Sequence, residues 1–366
     1  MTNYQFLKDL ELSLESEQTL ARNLDRIVVG KSVALVSPYG KKQDPSSILY
    51  GWDSLYNANT NMVNDVLHKL EISNRDKFGP RSIAIPWSQR LESVNEYFYR
   101  EDSKYDIVTE LFKRRPSGAD GRLTPTSINS ALDTLKNSTS AGLPFMARKG
   151  ELKEIYLSEF QRLLARNDPC VMFTRTQESK KTRTVWGYPM ADTLNEMMYY
   201  RPVLKFQRRT GWRTALLGPE SIDYKLDRMV KRAISDGEKL VSIDFSAYDT
   251  TVRGGLQRAS FAYIKSLFQS KYHSEIDRIA DRFNSIGLVT PDGVLDGSHG
   301  VPSGSTFTNE VDSIAQFLVA DTAISDDEKR DIQGDDGAYA CKDPELLKET
   351  FRNYGLNVNE EKSYIA

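Results

Sequence analysis

Apolar residues recur along this chain with two different periods, and the switches between them mark its elements. Phe6, Leu7, Leu10 and Leu14 fall at helical spacing among Lys, Asp and Glu, predicting an amphipathic helix packed on a larger body. A second helical stretch is expected over 61–71, ahead of the punctuation at Gly79-Pro80. Leu240, Val241 and Ile243 form a short apolar run that reads as a buried strand, with a helical stretch after Asp249 reaching about Phe268. Between Leu288 and Leu295 the sequence Val-Thr-Pro-Asp-Gly-Val reads as a hairpin. Phe307, Val311, Ile314 and Leu318 then share one helical stripe, while Thr306, Asn309 and Ser313 fall on another face. Ile332 before Gly334, and Ala338, Tyr339, Ala340 and Cys341 after it, suit two short strands joined by a bend. A helix is expected over 344–353, ended by Tyr354-Gly355-Leu356.

Composition narrows the class. A chain of 366 residues that is 39% hydrophobic can bury a real core, and 27% charged residues is too ordinary for global disorder. Cys170 and Cys341 imply no disulfide framework, and His68, His273 and His299 are too scattered for a zinc site. No apolar run approaches a membrane span and the first twenty residues lack a signal-peptide pattern, so a soluble intracellular protein is expected. The net charge of −2 hides an asymmetry. From Val171 to Ala215 nine Lys or Arg stand against three acids, whereas from Asp321 to Ala366 twelve acids stand against six bases. That suits an enzyme holding phosphates near metal ions, although solvated faces produce a similar pattern.

Several stretches carry candidate chemistry. Asp335 and Asp336 follow Gly334 at the tip of the expected hairpin, where crowded carboxylates call for a divalent cation; Asp is also a common turn residue. Asp244 closes an apolar strand, a costly place for a carboxylate unless it is paired or bound to metal. Asp249, five residues on, taken alone reads as a helix N-cap. The run Arg175-Thr176-Gln177-Glu178-Ser179-Lys180-Lys181-Thr182-Arg183 puts Lys181 and Arg183 on one strand face, able to neutralise a triphosphate or simply to be solvated. Ser138-Thr139-Ser140-Ala141-Gly142-Leu143-Pro144 is small and turn-forming, either a plain loop or one that lets a nucleic-acid strand approach closely. Ser303-Gly304-Ser305-Thr306-Phe307-Thr308-Asn309 is a flexible loop opening a helix.

Taken together these stretches resemble the palm of viral RNA-dependent RNA polymerases. Asp244 and Asp249 match the Asp-x4-Asp form of motif A, Ser303, Gly304, Thr308 and Asn309 match motif B, and Gly334-Asp335-Asp336 matches motif C. Gly355 with Lys362 looks like motif D, Arg175 to Arg183 resembles motif F, and Ser138 to Pro144 resembles motif G. The stretch SGSTFTNEVDSI is similar to the picobirnavirus branch, close to the partitiviruses.

The resemblance implies an α+β right-hand fold: a small antiparallel palm sheet backed by helices, with largely helical fingers. Its expected divisions are an N-terminal extension over 1–80, fingers over 81–186, palm over 187–253, a fingers insertion over 254–296, and palm again over 297–366. The family continues into a thumb beyond motif D, so with the chain ending at Ala366 a thumb is expected to be missing. The implied activity is RNA-templated RNA synthesis for a double-stranded RNA virus, using two Mg²⁺ (or Mn²⁺) ions held by Asp244, Asp335 and Asp336. By the same resemblance Asp249, Ser303, Gly304, Thr308 and Asn309 would sense the NTP ribose, and Arg175, Lys180, Lys181 and Arg183 would hold the triphosphate. Ser140, Ala141, Gly142 and Pro144 would guide the template, and Lys362 would act as general acid. Template and product RNA and NTPs are the implied partners, with the viral capsid protein as a further candidate, and the virion interior or host cytoplasm the implied location. A reverse transcriptase, or an RNA-binding palm without activity, stays open as an alternative.

Overall fold

The computed structural model describes residues 4–33, 45–74, 82–99, 121–176 and 182–366. Contacts divide the chain into two units. The smaller contains Met1–Val94, Met172–Val185 and Thr290–Gly293; the larger contains Asn95–Val171, Trp186–Val289 and Val294–Ala366.

In the smaller unit, a 3-10 turn over Gln5–Leu10 precedes helix α1 (Leu14–Val29). The apolar residues expected on one helix are therefore split. Glu11 takes a left-handed φ of 48°, and the Ser13 hydroxyl accepts from Ser16 N at 3.2 Å, so helix formation restarts there. Leu20, Leu24 and Ile27 form its buried stripe. Strand β1 (Lys31–Val33) is followed by α2 (Pro45–Ala58) and α3 (Asp65–Asn74), the latter starting later than expected behind a 3-10 turn at Thr60–Met62. Strand β2 (Ser82–Ala84) pairs antiparallel with β1, and α4 (Leu91–Tyr99) follows. Arg90 is buried and donates to the Thr174 and Thr184 hydroxyls at 2.7 and 3.2 Å. These threonines lie on β3 (Cys170–Thr176) and β4 (Thr182–Gly187), so Arg90 ties the two strands together in this unit.

The larger unit contains α5 (Ile128–Thr134), α6 (Lys153–Ala165), α7 (Met190–Gln207) and α8 (Pro219–Asp236). Next come β5 (Lys239–Ile243), α9 (Tyr248–Thr251), α10 (Gly254–Leu267) and α11 (His273–Ser285). The helical stretch expected after Asp249 is thus broken. Arg253 is extended and donates to the carbonyls of Tyr97 and Phe98, and two glycines, poor helix formers, follow it. Strands β6 (Leu288–Thr290) and β7 (Gly293–Leu295) occupy the segment expected as a hairpin. The chain closes with α12 (Thr308–Ala323), β8 (Arg330–Gln333), β9 (Asp336–Cys341), α13 (Pro344–Asn353) and β10 (Tyr364–Ile365).

The sheet that organises this unit has strand order β10-β5-β9-β8, with every neighbour antiparallel. Val241 and Ile243 on β5 and Tyr339 on β9 turn one face into the core, as a period of two dictates. Phe351 of α13 meets that face, its ring 5.1 Å from Phe245 and 5.8 Å from Tyr339. α12 was expected to be amphipathic, yet it is buried continuously from Glu310 to Ala320. Neighbours pack around it, including α10 and α13, so its polar residues Glu310, Asp312, Ser313 and Gln316 must find partners inside the protein. No helix among the described residues is long and apolar enough to cross a membrane.

Candidate active site

The hairpin β8–β9 and the end of β5 carry the central carboxylates. Gln333 pairs with Asp336, leaving Gly334 and Asp335 as a two-residue loop. Gly334 takes φ +65°, the first loop position at which a type II′ turn calls for glycine. A Cβ there would also stand 2.9 Å from Asn309 Nδ2, the end of a side chain that could shift, so it is the backbone conformation that calls for glycine. α12 holds this tip by its backbone. Ser313 Oγ accepts from Gly334 N at 2.8 Å, and Gln316 Nε2 donates to the Asp335 carbonyl at 3.2 Å. The two aspartate side chains are left exposed on a fixed loop.

Beside the hairpin, the β5–β9 register ends at Ile243 opposite Gly337. The next positions outward are Asp244 and Asp336, so strand pairing sets these carboxylates at the same end of the sheet. Asp336 is pushed up from the ordinary carboxylate pKa by burial, then by the charges of Asp335 and Asp244. Both neighbouring carboxylates thus disfavour the charged form of Asp336. Asp249 lies in the first turn of α9, whose N-cap is Ala247 in a left-handed conformation, so the N-cap alternative for Asp249 does not hold. Its carbonyl accepts from Val301 N at 2.7 Å, and a Cβ on Gly300 would come within 2.3 Å of that oxygen. Asp312, buried beneath, is pushed well above the usual carboxylate range by desolvation and then by Asp249 and Asp335. One electrostatic neighbourhood therefore contains Asp249, Asp312, Asp335, Asp336 and Asp244.

The segment carrying Lys362 runs along β5. Asp244 N donates to Ser363 Oγ at 3.2 Å and Asn359 N donates to the Asp244 carbonyl at 2.9 Å, with β10 then pairing Tyr364 with Ser242. Lys362 is exposed on this connection.

The loop before α12 is docked on the end of β4 and on α7. Ser303 Oγ accepts from Trp186 N at 3.3 Å, and a Cβ on Gly304 would lie 1.7 Å from the Trp186 carbonyl oxygen. Thr308 Oγ1 donates within the loop, to the carbonyls of Pro302 at 2.8 Å and Ser305 at 2.9 Å. Of the residues expected to face a ribose, Asn309 is exposed near Gly334, whereas Ser303, Gly304 and Thr308 hold the loop's own shape. Glu196, fully buried on α7, accepts from Ser305 Oγ at 2.8 Å and from Thr306 N at 2.6 Å. Burial pushes its carboxyl up to about 8.

Two of the other expected site residues lie inside the protein. Ala141 and Gly142 are buried: Met190 N donates to the Ala141 carbonyl at 2.8 Å, and a Cβ on Gly142 would meet the Tyr188 carbonyl at 2.8 Å. The close approach that Gly142 permits is thus to another stretch of backbone, while Ser140 and Pro144 are half-buried. Arg175 and Arg183 are exposed on β3 and β4 in the smaller unit, and Lys180 and Lys181 lie outside the described residues.

Sequence reasoning missed Arg213. It is buried between α7 and the hairpin, paired with Glu310 and bonded to Gln207, Asn309 and Gln333. Neighbours on both sides fix its backbone: the Trp212 carbonyl accepts from Ile332 N at 2.9 Å, and Thr214 N donates to Asp331 Oδ1 at 2.8 Å. In the sequence Arg213 is one cation of a basic run, and nothing in its spacing distinguishes it.

Among the described residues no three His, Cys, Asp or Glu side chains are already close enough to hold a metal ion by themselves. The donor set nevertheless fits a hard divalent cation: carboxylate oxygens at one sheet end whose mutual repulsion a cation relieves. Mg²⁺ commonly takes one or two carboxylates and completes its shell with water and substrate phosphate, so no all-protein cage is required.

A family model described as viral RNA-dependent RNA polymerase matches residues 120–365. The chain is 23% identical to the potential RNA-dependent RNA polymerase of a human picobirnavirus, covering 93% of this chain and 69% of that protein. It is 26% identical to the RNA-directed RNA polymerase of Cryptosporidium parvum virus 1, covering 75% of this chain and 58% of that protein. The crystal structure of the RNA-dependent RNA polymerase of a human picobirnavirus has a similar fold, with a TM-score of 0.75 at 19% identity, covering 97% of this chain and 73% of that one.

Proposed function

This chain belongs to the viral RNA-dependent RNA polymerase family, and from that premise we propose that the carboxylates at the end of its antiparallel sheet form the nucleotidyl-transfer site. Enzymes of this family make RNA on an RNA template and generally use divalent metal ions. The observation that carries the residue assignment is the β5–β9 register, which sets Asp244 beside the Gly334-Asp335-Asp336 loop.

Asp244 and Asp335 would hold two Mg²⁺ (or Mn²⁺) ions, with Asp336 as an auxiliary ligand. When bound, such ions lower the charge on the reacting phosphates and favour ionisation of the primer 3′ hydroxyl. The chain's own part is to fix these oxygens on rigid backbone, through the α12 bonds to the hairpin tip. Asp249 and Asn309 present polar groups for the ribose hydroxyls, and a site built to bond a hydroxyl rejects the sugar that lacks it. Arg175, Lys180, Lys181 and Arg183 supply cations for the triphosphate. Lys362, on the segment beside Asp244, donates a proton to the departing pyrophosphate. Template and product RNA and NTPs are the partners of this reading; the capsid protein is its further candidate partner, and the virion interior or host cytoplasm its place.

Incorporation of one NTP on a primed RNA template, with Mg²⁺ present, tests it. Asp335→Ala is expected to lose at least ~100-fold in rate, since electrostatic stabilisation of the transferring phosphoryl group goes with its metal ligand. Incorporation at near the parent rate by that folded variant removes the assignment.

A further inference from the structure

We propose that Arg213, acting with Gln333, is a positioning residue for sugar selection: it fixes which end of the Asn309 carboxamide is offered to a nucleotide. The inference rests on the reading of Asn309 as a ribose-sensing residue and goes beyond it to the group that orients it.

The geometry is that of one guanidinium addressing two amides. Arg213 Nε donates to Gln333 Oε1 at 3.2 Å, and Nη2 donates to Asn309 Oδ1. An arginine only donates, so the amide atoms facing it must be the oxygens. That turns Gln333 Nε2 toward Asn309, where it donates to the same Oδ1 at 2.9 Å. With both donors aimed at Oδ1, the carboxamide cannot rotate by half a turn without setting its own N–H groups against two other donors. Nδ2 is left on the side of Gly334, and among the described residues it has no protein acceptor. The exposed side chain thus offers a nucleotide a donor of fixed direction, suited to a hydroxyl oxygen.

Arg213 is itself held rigidly. Its Nη1 donates to Gln207 and to Glu310, and neither member of the Arg213–Glu310 pair is exposed. Gln333 immediately precedes Gly334, so the same bonds that orient Asn309 also join it to the hairpin carrying Asp335 and Asp336. Sugar recognition and the metal-binding loop are coupled through one buried cation.

The test is single-nucleotide incorporation of ATP and dATP opposite U in a primed RNA template. Removing Arg213 outright leaves Glu310 buried and unpaired, so the primary variant is Gln333→Met, at a half-exposed position, with Arg213→Lys as the second. The ratio of kcat/KM for ATP over dATP is expected to fall about 5- to 10-fold in Gln333→Met, the worth of one ordinary hydrogen bond. The loss should appear in KM for ATP, with kcat within about 3-fold of the parent, a split that general destabilisation does not produce. Combined with Asn309→Leu, Gln333→Met should reduce the ratio no further than Asn309→Leu alone. If Asn309→Leu lowers the ratio while Gln333→Met leaves it unchanged, the positioning role is overturned and the ribose reading stands. If Asn309→Leu itself leaves the ratio unchanged, the ribose reading fails and the inference falls with it. Should Arg213→Lys not fold, the Gln333→Met result alone decides.

Discussion

Replacing Gly304 with alanine puts a methyl group where the backbone of Trp186 already stands. The added Cβ would lie 1.7 Å from the Trp186 carbonyl oxygen and 2.9 Å from its carbon. One of the two backbones must therefore retreat by over ~1 Å in a close-packed interior. Trp186 is poorly placed to move: it is 1% exposed, stacked on Phe98 at 5.6 Å and packed against His299 at 4.6 Å. The loop before α12 must lift instead, losing the bond between Ser303 and Trp186 N. Overpacking costs about 1–3 kcal/mol and the lost bond about 1 kcal/mol, giving ~2–4 kcal/mol in all. For a unit of this size that corresponds to a fall of about 5–15 °C in Tm, read by thermal unfolding followed by circular dichroism. The loop leads directly into Asn309, so incorporation should fall at least ~30-fold if the displacement reaches the transition state in full. Gly355→Ala is the control. Its φ of +84° strains any side chain, but nothing lies within 4 Å of the new Cβ, so only about 1–2 kcal/mol of backbone strain is expected. A Gly304→Ala protein with Tm and incorporation equal to the parent's would refute the docking of this loop on Trp186.

Two further perturbations read the buried charges. Burial lifts the Glu196 carboxyl to about 8 from an ordinary 4.5, so the folded chain keeps a proton that the unfolded chain releases. Its stabilising contribution is fully present below about pH 4.5 and is lost as pH rises through about 8; Glu196→Gln should flatten that part of the fall in Tm between pH 5 and 9, and parallel curves for the two proteins would remove Glu196 as its source. Arg282 donates to both Asp192 carboxylate oxygens at 2.9 Å, with Asp192 nearly buried. Arg282→Met should cost about 3 kcal/mol in denaturant unfolding by stranding that carboxylate, and adding Asp192→Asn should recover part of it; strictly additive losses would show the pair is not coupled.

Local pattern was enough to place several of the elements that hold the candidate residues. The helix over 344–353 has the bounds expected for it, because Asp343 caps its start and the apolar spacing is regular. The hairpin around Gly334 was legible because a bend between two apolar runs has few other solutions, and Asp244 was legible as a carboxylate ending an apolar strand. Solvation was not legible. Ser303 and Thr308 are residue types that could face a ligand, and only their partners reveal that both serve the loop's own shape. Glu196 is one of three acids in the basic stretch from Val171 to Ala215, with nothing in the sequence to single it out, yet it is buried and grips the loop before α12.

What the sequence determined by itself is what depends on neighbours along the chain: strand and helix periods, the glycine bend, and the order of the acidic and basic stretches. What tertiary structure decided is which polar groups leave water. Arg213 is 96 residues from Asn309 and 120 from Gln333, and only the antiparallel sheet and the burial of α12 bring the three within hydrogen-bond reach. Spacing along the chain governs which residues can share a face of an element. Desolvation and mutual orientation belong to the packed assembly, because they depend on which other elements close over that face.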